Sequence, residues 1–381
     1  MTWGKFQPHE NKAVPADRVD PRFEIREGDL LVSRANTADY VGASVLVGPV
    51  RQKLHLSDKS LRITPKPSVS PEWLWRALPT PSVRRQIREL ATGTKDSMRN
   101  ISQAALCTIT VPLPSLDEQR RIVDLIEGHL SRLDAALSYL NAARRRTDSL
   151  VTSTLFDLIP DVRDYPGRWE RSCIGDAGRV ELGRQRHPDW HVGENMRPYL
   201  RVANVFEDRI DTSDVKEMHW PSQTFERFKL KAGDVLLNEG QTPDLLGRPA
   251  IYRGDPPEVA FTNSLLRFVA NDRVLPEFAL LVFRRHMRAG RFKRESRITT
   301  NIAHLSASRL KPIEFPIPSL DEQSKIVAHA KEYFDEAKRF KVQLDAVSIR
   351  NAQLRRSLLA AAFDGRLVGS SIASSDERET A

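Results

Sequence analysis

The hexapeptide Pro114-Ser115-Leu116-Asp117-Glu118-Gln119 returns unchanged as Pro318-Ser319-Leu320-Asp321-Glu322-Gln323, and each copy opens a long charged segment with periodic apolar residues. Outward from it the chain matches itself again. Phe23 corresponds to Phe228, Gly28-Asp29 to Gly233-Asp234, Gly42 to Gly247, Leu61-Arg62 to Leu266-Arg267 and Pro71-Glu72 to Pro276-Glu277, all at a shift of 205 positions. Asn100-Ile101 is then paired with Asn301-Ile302 and Pro112 with Pro316. A repeat this long is a duplicated domain, not a solenoid unit.

Within each copy the hexapeptide starts a helix. Ser115 stands three residues before Glu118, the capping-box spacing in which the hydroxyl accepts from the backbone and the carboxylate reaches back. Ile122, Ile126, Leu130, Leu133, Leu137 and Leu140 follow at spacings of four and three, the seam of a helix packed lengthwise on another. Ile159-Pro160 ends it, and about 40 helical residues would span roughly 60 Å. The second helix places Ile326, Ala330, Phe334, Ala337, Lys341, Leu344, Val347, Asn351, Leu354 and Leu358 near one face. The two are expected to pair antiparallel, with a globular domain at each end and an approximate internal two-fold axis.

The expected fold is therefore α+β: two similar domains, 1–114 and 161–318, separated by long helices at 115–160 and 319–368 that form an antiparallel coiled coil, and a polar tail at 369–381 expected to be disordered. In the first domain Asp29–Val32, Ala43–Val47 and Thr108–Leu113 read as strands and Trp73–Leu90 as a helix; in the second, Tyr199–Val205 and Asp234–Leu237 read as strands. The counterpart of Tyr199–Val205 would fall before Met1, so the first domain is N-terminally short. A lost or mis-assigned start is the preferred expectation, since an open sheet edge costs solubility; a truncated subunit rebuilt by a partner fragment is the alternative.

The 381 residues are 40% hydrophobic, enough for two cores, and the formal net charge is +9, which suits a polyanionic partner. Two cysteines, Cys107 and Cys173, give neither a disulfide framework nor metal-ligand spacing, and both are expected as buried thiols. No apolar run approaches the roughly 20 residues of a membrane span, and the N-terminal stretch lacks a signal-peptide pattern, so a cytoplasmic, soluble protein is expected.

The order GDLL or GDVLL, a loop, an Asn-Ile lead-in, P-x-PSLDEQ-x-x-IV and a long helix, twice over and closing with LRRSLLAAAFDGRLV at 354–368, resembles the DNA-specificity subunits of type I restriction-modification systems over nearly the whole chain. The resemblance implies a non-catalytic subunit with two target-recognition domains reading a bipartite, asymmetric double-stranded DNA site. It implies methyltransferase subunits (two copies) and restriction/translocase subunits as partners. It places S-adenosylmethionine, ATP and magnesium in those partners, and no cofactor in this chain.

Base edges are read by Arg, Asn, Gln, Glu and Thr. The loops after the Gly-Asp strands supply Arg34, Asn36 and Thr37 in the first domain and Asn238, Glu239, Gln241 and Thr242 in the second, with Arg184, Arg186, Arg201 and Asn204 as a further set. Lys95, Arg99, Arg294 and Arg297 are the phosphate candidates, while Arg62 and Arg267 fit a structural ion pair as well as a DNA contact. A nuclease site of Asp189, Asp214 and Lys216 has a spacing common by chance, and Asp255-Pro256-Pro257 lacks the following aromatic of an amino-methyltransferase. A coiled-coil scaffold with protein-binding end domains, or a half-specificity subunit acting as a dimer, are the alternatives. The first predicts salt-insensitive association with DNA, whereas a specificity subunit predicts steep salt dependence.

Overall fold

Ser115 and Ser319 each accept a hydrogen bond from the backbone N–H three residues on, at 3.4 and 3.3 Å, and helices Leu116–Leu158 and Leu320–Phe363 follow in the computed structural model, which describes residues 6–96, 98–299 and 302–363. The second half of the capping box is not used at Glu322. Its carboxylate instead accepts from the Arg168 guanidinium at 2.6 Å and from Trp169 Nε1 at 2.9 Å. The C-terminal end of the expected second helix, from residue 364, and the expected tail lie outside the described residues.

The chain up to Ala142 and from Leu344 onward forms one compact unit, and Ala143–Gln343 forms another. Each unit takes part of each helix, and in each the helices run antiparallel. In the first, Ile122, Ile126 and Leu130 share a core with Leu358, Ala362 and Phe363, while Asn351 Nδ2 donates to the Leu133 carbonyl at 2.9 Å and Arg355 pairs with Asp134 at 2.6 Å. In the second, Leu155 and Ile159 share a core with Ala330, and Lys341 pairs with Asp148.

The seam differs from the apolar reading of the second helix. Val347 and Leu354 are each 51% exposed, whereas Leu344 and Asn351 are buried and Ser348, Arg355 and Leu358 half-buried. The geometric repeat steps through 344, 348, 351, 355 and 358, so polar residues hold seam places that apolar neighbours seemed to claim. A polar group in such a seam fixes register at a cost in stability. Asn351→Leu is expected to raise stability by about 1 kcal/mol, because the Leu133 carbonyl keeps its own helical partner and the added apolar surface is buried; urea unfolding midpoints measure it.

The second unit holds a four-stranded antiparallel sheet in the order Pro249–Ile251, Val235–Asn238, Leu265–Ala270, Gly178–Leu182. The first holds the equivalent three, Ser44–Leu46, Leu30–Ser33 and Ser60–Ile63, in the same register: Leu31 faces Arg62 as Leu236 faces Arg267. Among the described residues Ser60–Ile63 is an edge strand, without a counterpart of Gly178–Leu182. Thr108–Leu113 forms no strand for a related reason. Its equivalent, Glu314–Ile317, pairs with Glu170–Cys173, and an extended segment without such a neighbour has no ladder to join.

Two further expectations are corrected. Trp73–Leu90 is two helices, Pro71–Ala77 and Pro81–Leu90, because Pro81 has no N–H and restricts Thr80 to extended backbone; the equivalent Pro276–Arg288 is continuous. Tyr199–Val205 is not one strand: Met196–Leu200 ends at Arg201, a 3-10 turn covers Val202–Asn204, and Val205–Phe206 resumes. Nor are the cysteines buried. Cys107 is exposed and Cys173 intermediate.

The last residue of the hexapeptide ties each helix to its domain. Gln119 is wholly buried; its Oε1 accepts from Ser70 N at 2.8 Å, and its Nε2 donates to the Ser68 and Pro114 carbonyls at 3.0 and 2.9 Å. Gln323 repeats this: Oε1 accepts from Leu275 N at 2.8 Å, and Nε2 donates to the Arg273 and Pro318 carbonyls at 2.8 and 2.9 Å. Every hydrogen-bonding group of the amide but one lone pair is used.

Candidate nucleic-acid interface

In both domains the central strand leaves its sheet and enters a second, three-stranded one. Leu30–Ser33 passes through Arg34 into Ala35–Asn36, and Val235–Asn238 passes through Glu239 into Gly240–Gln241. The bend is held where Gly42 N donates to the Ser33 carbonyl and Gly247 N to that of Asn238. These glycines have φ of +73° and +68°, and a Cβ would lie 2.6 Å from Ile87 Cγ2 or 2.4 Å from Phe292 Cδ2, so no other residue fits without displacement.

The short strands then pair with a hairpin. Ala35–Asn36 lies beside Met98–Asn100, which pairs with Thr92–Lys95; Gly240–Gln241 lies beside Ile302–His304, which pairs with Arg297–Thr299. This register corrects the alignment read from Asn-Ile. Ile101 N donates to the Arg34 carbonyl at 2.9 Å and Leu305 N to the Glu239 carbonyl at 2.8 Å, and both side chains are wholly buried. Ile101 is thus equivalent to Leu305, at a shift of 204, and Asn301 lies outside the described residues.

Alternation along the central hairpin strand decides which side chains face out. Met98 and Asn100 are exposed, and so are Ile302 and His304; Met98 and Ile302, at equivalent positions, are 51% and 49% exposed. Between them Ala303 is buried. Arg99 turns inward, its two terminal nitrogens donating to the Gly93 and Ala91 carbonyls at 2.7 and 2.8 Å. Sequence reading passed over Met98, Asn100, Ile302 and His304. The signal was the alternation itself, hidden by an alignment three residues out.

The other candidates divide by burial. Arg34 is exposed, and its side chain has no partner among the described residues; the same holds for Arg186. Asn36 Oδ1 accepts from Thr37 N at 2.9 Å and Gln241 Oε1 from Thr242 N at 3.0 Å, the same closure in both copies. Asn36 Nδ2 donates to Ser33 Oγ at 3.2 Å. Glu239 Oε2 meets His304 Nδ1 at 3.2 Å. Arg294 is exposed, donating weakly to the Ala289 carbonyl at 3.4 Å. The side chains of Lys95 and Arg297 lie outside the described residues.

Four candidates are built into the fold. Asn238 is wholly buried, and Asn204 is 1% exposed with Nδ2 donating to the Asp211 and Asp214 carbonyls. Arg201 pairs with Asp214 at 2.5 Å. Arg184 lies between Trp190 and Trp220, 3.9 and 4.8 Å from their ring centres, and donates to the His219 carbonyl at 2.7 Å. Neither buried asparagine amide is open to a base edge. Asp214 is also paired with Lys216 at 2.8 Å, so two cations neutralise the carboxylate that a nuclease would need for metal. Among the described residues no three His, Cys, Asp or Glu converge to hold a metal ion, and no helix is long and apolar enough to cross a membrane.

Comparison with known proteins gives a family-model match over the second copy. Residues 166–343 match the model of the type I restriction modification DNA specificity domain. The chain is 22% identical to the type I restriction enzyme StySPI specificity subunit of Salmonella potsdam over 96% of its own length and 80% of that protein's. It is 22% identical to the EcoKI specificity subunit of Escherichia coli K12 over 74% of this chain and 63% of that one. Among solved structures, a chain from a study of complex assembly and conformational transition of the type I R-M system superposes with a TM-score of 0.75 at 19% identity, covering 93% of this chain and 87% of that one. The HsdS subunit from Thermoanaerobacter tengcongensis gives 0.52 at 19% identity, covering 93% and 86%. Residues 166–343 are thus similar to the type I restriction modification DNA specificity domain, and the chain as a whole has sequence and fold likeness to the specificity subunits of those systems.

Proposed function

We propose that this chain is the DNA-recognition subunit of a type I restriction-modification complex, each domain reading one half of a bipartite, asymmetric duplex site. The observation that carries the reading is the pair of equivalent small sheets. The short strand meets the central hairpin strand in the same register in both, yet the side chains at these positions differ: exposed Arg34, Met98 and Asn100 in one, partly exposed Glu239 with exposed Ile302 and His304 in the other. A shared frame with different polar groups is what two unlike half-sites require. Arg34, Arg186 and Arg294 add exposed positive charge to a chain of net +9.

The subunit performs no chemistry in this reading. Methyltransferase subunits, two copies, and restriction subunits dock on it in the cytoplasm and bring S-adenosylmethionine, ATP and magnesium. The test is to co-express the chain with its neighbouring methyltransferase gene in a methylation-free host and map adenine methylation across the genome. A split, asymmetric motif is expected. A palindromic or single-half motif would replace the two-domain reading with a dimer reading through one domain, and failure to form a complex with the methyltransferase would overturn the assignment. Binding of the motif duplex is expected to weaken by about 10³-fold or more between 50 and 200 mM salt, given six or more phosphate contacts; salt-insensitive binding would favour a scaffold.

A further inference from the structure

We infer that positions 34, 35 and 100 of the first domain and 239, 240 and 304 of the second are one three-residue reading unit carried in opposite hydrogen-bonding senses. The first would take an acceptor base edge, guanine O6 and N7, and the second the exocyclic amino group of cytosine or adenine. This rests on the reading of the chain as a DNA-specificity subunit and assigns what that reading leaves open.

The equivalence is set by the backbone. Ala35 faces Asn100 and Gly240 faces His304 in their ladders, and the carbonyls of Arg34 and Glu239 accept from Ile101 N and Leu305 N. In the second domain the side chains at these places meet, His304 Nδ1 lying 3.2 Å from Glu239 Oε2. In the tautomer whose Nδ1–H donates to the carboxylate, the imidazole presents Nε2 as a lone pair, beside the unused lone pairs of Glu239. Such a surface accepts and does not donate. In the first domain Arg34 brings five donors and no acceptor to the equivalent position, with Asn100 where the second domain has His304.

The third position explains why the unit moves as a whole. A Cβ on Gly240 would stand 3.1 and 3.2 Å from Cε1 and Nδ1 of His304, so the ring lies directly over the glycine. Ala35 carries that Cβ where the opposite residue is the smaller Asn100. Histidine goes with glycine and asparagine with alanine because the ring and the methyl group compete for one volume. Met98 and Ile302, exposed next along the strand, give both domains an apolar contact suited to a thymine methyl group.

The experiment uses the full chain with its methyltransferase. The wild-type motif is mapped first; absence of any split motif would count against the specificity-subunit reading itself, whereas a split motif whose first half lacks guanine would overturn the present inference alone. The variant Arg34→Glu, Ala35→Gly, Asn100→His is then mapped in the same way. One position of the first half-site is expected to change from guanine to cytosine or adenine with the second half unchanged, and retention of the first half-site as it was would overturn the proposal. If the triple variant methylates nothing, Glu239→Gln, an isosteric change at a partly exposed residue, decides by competition between motif duplexes differing at single bases of the second half-site. The preference at one position is expected to fall about tenfold, and preferences unchanged at every position would overturn the inference.

Discussion

Replacing Arg267 with alanine is expected to destabilise the unit formed by residues 143–343 by about 3–5 kcal/mol, a large fraction of the stability of a typical domain. The guanidinium is 5% exposed. It pairs with Glu181 at 2.5 Å and with Asp234 at 3.5 Å, and it donates to the Lys229 and Arg227 carbonyls at 2.9 and 3.0 Å. Burial raises the Asp234 carboxyl in spite of Arg267, whereas at Glu181 burial is outweighed by the Arg267 and Arg227 hydrogen bonds and the carboxyl is lowered. Removing the cation leaves both acids enclosed without it. The equivalent Arg62 pairs with Asp29 at 3.0 Å and donates to the Arg22 and Glu24 carbonyls, but it is 25% exposed. Arg62→Ala is therefore expected to cost less, about 1–3 kcal/mol. Hydrogen exchange resolved by segment separates the two units, and equal effects would contradict the burial argument.

The second large effect is expected from pH. His286 is wholly buried, its Nε2 bonded to the Glu314 carbonyl at 2.9 Å, and burial drives its pKa down from 6.5 to about 4. The folded value lies below the unfolded one, so the unfolded chain binds the extra proton between them. The stabilisation is complete above pH 6.5 and is lost as pH falls towards 4, a change of about 3 kcal/mol for a shift of this size. Glu207 acts lower on the scale. Burial would raise it, but Arg288 and Arg284 outweigh burial and hold it below the usual carboxylate range, so its contribution is lost only as pH falls through that depressed value. Urea midpoints measured from pH 7.5 to 4.5 are expected to decline in the wild type and to flatten in His286→Phe, whose ring keeps the contact with Phe292. A wild-type midpoint constant to pH 4.5 would contradict the burial of a neutral imidazole.

The repeated hexapeptide carried most of the fold, because a helix start with a capping serine and a four-three apolar repeat are local signals. Leu116–Leu158 ends where Ile159-Pro160 indicated. What was not legible depended on partners distant in sequence. Thr108–Leu113 has a strand's composition, yet being a strand requires a neighbour. Val347 and Leu354 are apolar, yet the seam geometry assigns their places to Ser348 and Arg355. Asn204 and Asn238 have the chemistry of base readers, but they are buried. At the candidate interface, the loops after the Gly-Asp strands lead into the second sheets of the two domains. The hairpin residues beside them were missed because one recurrent dipeptide, Asn-Ile, outweighed a register that only backbone pairing reveals.

Gln119 and Gln323 speak only to main-chain atoms of the domains they anchor: the N–H of Ser70 or Leu275 and the carbonyls of Ser68 or Arg273. The pairs Ser70 and Leu275, and Ser68 and Arg273, share no side-chain chemistry, and the joint is the same in both copies. A fastening that is indifferent to side chains leaves the surface it carries free to diverge. The two halves of this gene could therefore drift apart in every exposed letter while still assembling on the same helical frame, so long as the path of the backbone past that one amide was kept.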